Sequence, residues 1–277
     1  MYPAVVAHRG ASAQRAEHTL AAYLLALRQG ADGLECDIRL TRDGHLVCVH
    51  DRRVDRTSSG RGVVSTLTLE QLAAFDYGSW HGERARAAGM AMAEPGDGPV
   101  AADAERGLLT LETLLGLVVD AGRPITLFVE TKHPVRYGGR VEARLVEVLA
   151  RYGLAHPRHK EESRVVMMSF SGHAVRRMRA HAPTLPTVLL FGRIPAARRD
   201  GSLPPWADFT GPGVHLLRQD PDYVARSAAR GNHTYCWTVD EPADVQLCQD
   251  LGVRYLATNL PDNTRRLLQP AGGALPR

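Results

Sequence analysis

Gly33-Leu34-Glu35-Cys36-Asp37-Ile38-Arg39-Leu40 reads as a strand with two carboxylates inside an otherwise apolar run. Strand side chains alternate faces, so Leu34, Cys36, Ile38 and Leu40 share one side while Glu35 and Asp37 share the other. Two like charges side by side repel and lose hydration unless a cation or a cationic side chain neutralises them. Taken alone, a Glu-x-Asp pair is most often a solvent-facing feature, because carboxylates are mostly exposed. Its company along the chain changes that reading.

Upstream lies a helical pattern at 19–29 and a short aliphatic run at 4–8, giving a β-α-β order. The alternation continues. Strands are expected at 4–8, 32–40, 45–50, 125–130, 164–169, 187–191, 233–239 and 254–258, and helices at 19–29, 110–119, 139–152, 172–181, 221–230, 241–251 and 262–268. Eight strands interleaved with helices predict an α/β fold with a parallel sheet, and at this length a closed (β/α)8 barrel fits as well as an open doubly wound sheet. A ninth short candidate at 214–217 exceeds the count.

Two segments interrupt the pattern. Residues 52–107 carry a turn-rich stretch, a helix candidate at 69–75 and an Ala/Gly/Pro-rich piece at 85–105, and read as an insertion protruding from the barrel, partly a mobile loop. Residues 193–213, rich in Pro and Gly, read as a surface connection. Neither requires a second domain, so residues 1–269 are read as one domain and 270–277 as a disordered tail.

The composition, 44% hydrophobic and 23% charged over 277 residues, is that of a globular chain. A net charge of +4 made of scattered basic residues fits an anionic small-molecule substrate and argues against nucleic acid as the partner. Cys36, Cys48, Cys236 and Cys248 form no Cys-x-x-Cys pair and read as reduced core residues. The N-terminus enters a strand without a signal-like segment and no run approaches 18 apolar residues. The expectation is a cytoplasmic protein without stable membrane association. Oligomeric state is not legible.

Barrel enzymes place their chemistry at the carboxyl ends of strands. Here those ends carry His8-Arg9, Glu35 with Asp37, His50-Asp51, Glu130-Thr131-Lys132, Ser169-Phe170 and Trp237-Thr238. Glu35, Asp37 and Glu130 make an oxygen-rich set suited to one hard divalent cation, Mg2+ or Ca2+, whereas zinc more often recruits His or Cys. Arg9 and Lys132 supply donors for an anion, which together with a cation implies a phosphate. His8 and His50 are the residue type that takes and gives protons near neutral pH.

The ordered set His8-Arg9-Gly10, Glu17-His18-Thr19-Leu20, Glu35-Cys36-Asp37, His50-Asp51 with Asp55-Arg56-Thr57, Glu130-Thr131-Lys132, Ser169-Phe170 and Trp237-Thr238-Val239 resembles the glycerophosphodiester phosphodiesterase family, almost end to end. The resemblance implies a metal-dependent TIM barrel with a small insertion after the third strand. It implies hydrolysis of glycerophosphodiesters, such as glycerophosphocholine or glycerophosphoethanolamine, to an alcohol and glycerol 3-phosphate. By it Glu35, Asp37 and Glu130 hold the metal, His8 and His50 are general acid and base, Arg9 and Lys132 contact phosphate, and Trp237 walls the pocket. A glycerol hydroxyl of the substrate is the nucleophile, which explains why no Ser or Cys nucleophile is needed.

Two positions depart from the family pattern. His18 stands where Asn is usual, and Asn259 where Asp is usual in the closing Thr258-Asn259-Leu260-Pro261; His18 still offers a hydrogen bond, and Asn259 receives no role. Two other readings stay open: a lysophospholipase D or sphingomyelinase-D-like lipid phosphodiesterase, and a non-catalytic phosphate-ligand-binding barrel.

Overall fold

The computed structural model describes residues 2–87 and 101–269. Nine strands are present: β1 (Ala4–His8), β2 (Gly33–Leu40), β3 (Leu46–Cys48), β4 (Thr126–Thr131), β5 (Val165–Ser169), β6 (Thr187–Phe191), β7 (Phe209–Pro212), β8 (His233–Cys236) and β9 (Tyr255–Thr258). Eight of them pair in parallel around a ring, β1-β2-β4-β5-β6-β7-β8-β9, and β9 closes back on β1. Helices fill the connections, which makes the chain a TIM barrel as expected.

The count of eight came from two compensating misreadings. The run at 45–50 yields β3, which pairs antiparallel with Ile38–Leu40 at the end of β2, beyond the stretch that β1 covers. Only residues 41–45 join β2 to β3, and a parallel crossover needs a dozen or more. The connection can therefore only make a hairpin, and the insertion follows a strand outside the ring. Conversely, β7 lies within 193–213, the stretch read as a surface connection. It is four residues long and contains Gly211 and Pro212, both weak strand formers. Gly211 is required there, since a Cβ would come within 2.6 Å of Leu190. The ninth candidate, 214–217, is the start of a helix, Val214–Gln219.

Both faces of β2 are buried, the condition of a strand with the barrel interior on one side and helices on the other. Leu34, Cys36 and Ile38 face outward into the layer shared with helix residues such as Leu114, Leu145 and Val175. Inside the barrel, Val6, Phe128, Val166, Val188, Tyr235 and Ala257 form a floor of apolar and aromatic side chains. The four cysteines are free and buried.

The segment 52–107 holds a 3-10 turn at Val64–Thr66 and helices at Leu69–Ala73, Ser79–Ala87 and Ala102–Arg106. Thr68 and Gln71 close a capping box on the first of these helices. Val47, Val49, Val54, Val64, Leu72 and Tyr77 pack as a small core of their own beneath the segment. Of the Ala/Gly/Pro-rich piece at 85–105, residues 85–87 and 102–105 are helical, and its centre, 88–100, where a mobile loop was expected, lies outside the described residues, as does the 270–277 tail.

Candidate active site

The site is assembled by strand register. His8 stands opposite Glu35 across the β1–β2 pair, and Asp37 opposite Glu130 across β2–β4. Neighbouring residues in register share a face, so three carboxylates and a histidine enter the same end of the barrel. Oxygens of Glu35, Asp37 and Glu130 lie within 4.8 Å of one another, and all three residues are buried.

Backbone conformation aims the turn after β1. Arg9 has φ +59° and His18 φ +61°, the left-handed region that non-glycine residues rarely occupy and that clusters at functional sites. In this conformation the Arg9 N–H donates to Glu35 Oε2 (3.0 Å), and the His18 N–H donates to the Arg9 carbonyl (3.1 Å). Gly10, at φ +84°, lies so close to the helix Leu20–Arg28 that a Cβ would sit 2.7 Å from the backbone of Ala22.

Two basic side chains and a histidine surround Asp37. Arg9 Nε is 3.0 Å from its Oδ2, Lys132 Nζ 3.3 Å from its Oδ1, and His18 Nε2 3.0 Å from Oδ2. Lys132 also pairs with Glu130 at 2.8 Å. The other nitrogen of His18 meets Tyr23 Oη at 2.8 Å, and Tyr23 in turn donates to the Glu35 carbonyl at 2.9 Å. Burial opposes ionisation of all three carboxylates. At Asp37 the hydrogen bond to His18 and the charges of Arg9 and Lys132 outweigh burial and hold the carboxyl well below its usual range. Glu35 is raised well above that range by burial and by the charge of Asp37, and Glu130 is pushed up to about 8 for the same two reasons.

Both histidines present the same nitrogen. Asn259 Nδ2 donates to Asp240 Oδ2 (2.6 Å), so its Oδ1 faces His8 and accepts from His8 Nδ1 at 2.8 Å. His50 Nδ1 donates to Asp51 Oδ1 at 2.7 Å. In each neutral ring this leaves Nε2 with the lone pair. Burial, then the charge of Arg9, lowers His8 to about 3. Burial also lowers His50, while Asp37 and Asp51 act in the opposite direction. Asn259, left without a role on sequence grounds, is thus the residue that orients His8.

A chain of ion pairs missed in the sequence runs behind the site. Asp51 Oδ2 accepts from Arg56 Nε (2.6 Å), Arg56 grips both oxygens of Glu17 (2.7 and 2.8 Å), and Glu17 accepts from Arg9 Nη1 (3.1 Å). Arg39 donates twice to the His50 carbonyl, at 3.0 and 2.7 Å. Glu17, Asp51 and Arg56 were visible only as motif members, because their partners are far apart in sequence.

A cavity of about 240 Å³ is lined by His8, Arg9, Glu35, His50, Glu130 and Lys132 on its polar side and by Met168, Phe170, Leu190, Tyr235 and Trp237 on the other. Trp237 donates its indole N–H to the Gly211 carbonyl (2.9 Å) and meets Phe170 edge to face at 5.2 Å, so it offers the cavity only its ring. Every residue expected at the site except Asp37 lines this cavity, and Asp37 lies directly behind Arg9 and Lys132. A wider surface cleft of about 320 Å³, at Arg42, Arg140 and Arg144, shares none of these residues.

The residues fit a hard divalent cation. Three buried carboxylates converge with two basic side chains, both of which pair with Asp37, and the resistance of Glu35 and Glu130 to ionisation is the charge deficit that an oxygen-seeking ion would relieve.

The family model for the glycerophosphoryl diester phosphodiesterase family matches residues 8–263. The chain belongs to that family. It is 51% identical over 269 residues to a probable glycerophosphodiester phosphodiesterase 1 of Mycobacterium tuberculosis, covering 97% of this chain and 93% of the relative. A glycerophosphodiester phosphodiesterase of Bacillus subtilis is 33% identical over 261 residues, 93% of this chain and 83% of its own. Among solved structures, an Oleispira antarctica phosphodiesterase in complex with its product sn-glycerol-3-phosphate superposes with a TM-score of 0.76 at 23% identity, covering 96% and 97% of the two chains. At that identity the likeness shows the shared barrel. As a member of the family the chain is a glycerophosphodiester phosphodiesterase, a phosphoric diester hydrolase.

Proposed function

We propose that the chain hydrolyses glycerophosphodiesters such as glycerophosphocholine or glycerophosphoethanolamine to the free alcohol and glycerol 3-phosphate, dependent on one divalent cation, Mg2+ or Ca2+. The observation that carries the reading is the gathering, at one cavity, of two histidines whose Nδ1 atoms are already hydrogen-bonded, two basic side chains and a carboxylate trio of which Glu35 and Glu130 line the wall. Glu35, Asp37 and Glu130 would hold the ion, which when bound supplies charge that positions and acidifies a substrate hydroxyl. Arg9 and Lys132 grip the phosphate oxygens and offset the charge that builds there. One of His8 and His50 accepts the proton of the glycerol hydroxyl as it attacks phosphorus, the other protonates the departing alcohol, and water then opens the resulting cyclic phosphate to glycerol 3-phosphate. Asp51 stabilises a proton on His50, and Asn259 keeps the basic nitrogen of His8 turned inward. Trp237 and Phe170 wall the side away from the carboxylates.

Residues 1–269 would act as a single catalytic domain with 52–107 as its insertion, in the cytoplasm, where four buried thiols stay reduced. Phe170 is the one exposed large apolar side chain at this mouth among the described residues, too little for a membrane-docking rim. That favours deacylated diesters over lysophospholipids.

The test is release of glycerol 3-phosphate from a panel of glycerophosphodiesters with Mg2+, Ca2+ or chelator. His8→Ala and His50→Ala are each expected to lower kcat roughly 10²–10⁴-fold while melting like the parent. Full activity in excess chelator, or near-parental turnover by both variants, would sink the reading.

A further inference from the structure

Tyr235 carries a hydroxyl that the chemistry above does not use. Its side chain enters the barrel from β8 two residues below Trp237 on the same face, and is 1% exposed. The ring lies against Phe128, centroids 5.0 Å apart and tilted by 36°. Packing therefore fixes where the oxygen points. Tyr235 Oη has no hydrogen-bond partner. Leaving a buried hydroxyl unpaired is unfavourable, and such groups in folded proteins are nearly always satisfied by protein, water or ligand.

Among the described residues, the buried side-chain atoms without a hydrogen bond include two on residues that line the cavity: Arg9 Nε and Tyr235 Oη. Arg9 Nε is already ion-paired with Asp37. The other unpaired atoms, among them Thr131 Oγ1, Thr234 Oγ1 and Tyr77 Oη, belong to residues outside it. Burial, with the nearby charges of Glu35, Glu130 and Asp37, holds the phenol well above its ordinary pKa, so Oη keeps its proton and can both donate and accept. Tyr235 lines the cavity beside Met168 and Leu190, and all three belong to the same apolar cluster as Val6, Phe128, Val166, Val188 and Ala257.

We propose that Tyr235 Oη is the binding partner of a glycerol hydroxyl, a single hydrogen bond at the base of the cavity that makes the site select a polyol phosphate over a phosphate bearing an alkyl group. The inference rests on the glycerophosphodiester reading, which places the glycerol end against the carboxylates. It deepens that reading by naming what distinguishes glycerol from other groups. A site built to hydrogen-bond a hydroxyl discriminates strongly against ligands that lack it, since the buried partner is then stranded.

Tyr235→Phe removes one oxygen and keeps the ring. Calorimetric titration in saturating Mg2+ compares sn-glycerol 3-phosphate with methyl phosphate, which lacks hydroxyls. The variant is expected to bind glycerol 3-phosphate about 5- to 30-fold more weakly and methyl phosphate within twofold of the parent, with KM for glycerophosphocholine raised more than kcat is lowered. Without ligand it should melt at or above the parental temperature, since an unsatisfied polar atom has been removed. Equal losses for both ligands, no loss for either, or a clearly lower melting temperature would each overturn the assignment. A parent enzyme that neither binds glycerol 3-phosphate nor turns over its diesters would instead overturn the underlying functional reading.

Discussion

Exchanging the two side chains that hold His8 tests the site at its most specific contact. Asp240 Oδ1 accepts from Thr258 Oγ1 (3.0 Å) and from the Asn259 N–H (2.8 Å), while Oδ2 accepts from Asn259 Nδ2 (2.6 Å). In Asn259→Asp that last bond becomes two carboxylate oxygens in contact. Two unit charges roughly 3 Å apart at an effective dielectric of about 20 repel by about 5 kcal/mol, and relaxation reduces this to an expected loss of about 2–4 kcal/mol at pH 7. In Asp240→Asn two amide N–H groups face each other, costing about 1–3 kcal/mol. The double exchange restores the bond with donor and acceptor reversed: an amide oxygen at 240 still accepts from Thr258 and residue 259, and its nitrogen donates to the new carboxylate. It should recover to within about 1 kcal/mol of the parent, giving a coupling of at least about 2 kcal/mol in a double-mutant cycle by urea denaturation.

The same double variant sets a carboxylate against His8 Nδ1 where an amide oxygen stood. An opposite charge at hydrogen-bond distance raises a histidine pKa by about 1–3 units. If His8 is the base, the acid limb of the pH–rate profile moves to higher pH by that amount, because the ring is then protonated, and idle, over more of the acid range. Additive stability losses in the cycle would refute the hydrogen-bond assignment that fixes the His8 ring.

Arg56→Ala cuts the chain linking His50, Asp51, Glu17 and Arg9 at its centre, and kcat/KM is expected to fall about 10- to 100-fold, the usual cost of losing an orienting partner behind a reacting group; steady-state kinetics within twofold of the parent would show that the chain does not position His50. Glu142 tests stability away from the site. Burial alone would raise its pKa, but hydrogen bonds from His133 (2.7 Å) and Arg177 (3.0 Å) outweigh burial and lower it. A depressed folded pKa contributes stability above the unfolded value of about 4.3 and loses it as pH falls through the folded one. Glu142→Gln should therefore be about 1–3 kcal/mol less stable than the parent at pH 7, with the gap closing as pH falls below about 4 in acid-denaturation curves; a gap that persists in acid would rule the ion pairs out as its source.

Strand-by-strand legibility followed the local chemistry. Long β-branched and aliphatic runs such as 32–40 and 187–191 announced themselves, because burial on both faces demands apolar residues at every outward position. The four residues of β7 did not, since what makes Phe209–Pro212 a strand is the partners on either side of it. The 41–45 connector held enough information to remove β3 from the ring, through its length alone.

For the site, residue types at strand ends were enough to nominate His8, Arg9, Glu35, Asp37, His50, Glu130, Lys132 and Trp237. Tyr235 was within reach, lying two residues before Trp237 and so on the same inward face. Asn259 was not, because its importance lies in which of its atoms meets His8, 251 positions away. Sequence by itself determined the repeating α/β order, the family and which polar residues gather at the barrel mouth, since alternation and residue chemistry are local properties. Only the tertiary structure decided which strands close the ring, that Arg9 and Lys132 both pair with Asp37, and that both histidines commit Nδ1 to a neighbouring side chain. Each depends on register and hydrogen-bond direction between segments far apart in the chain, and Glu35 and Asp37 acquire their meaning only when β4 brings Glu130 beside them.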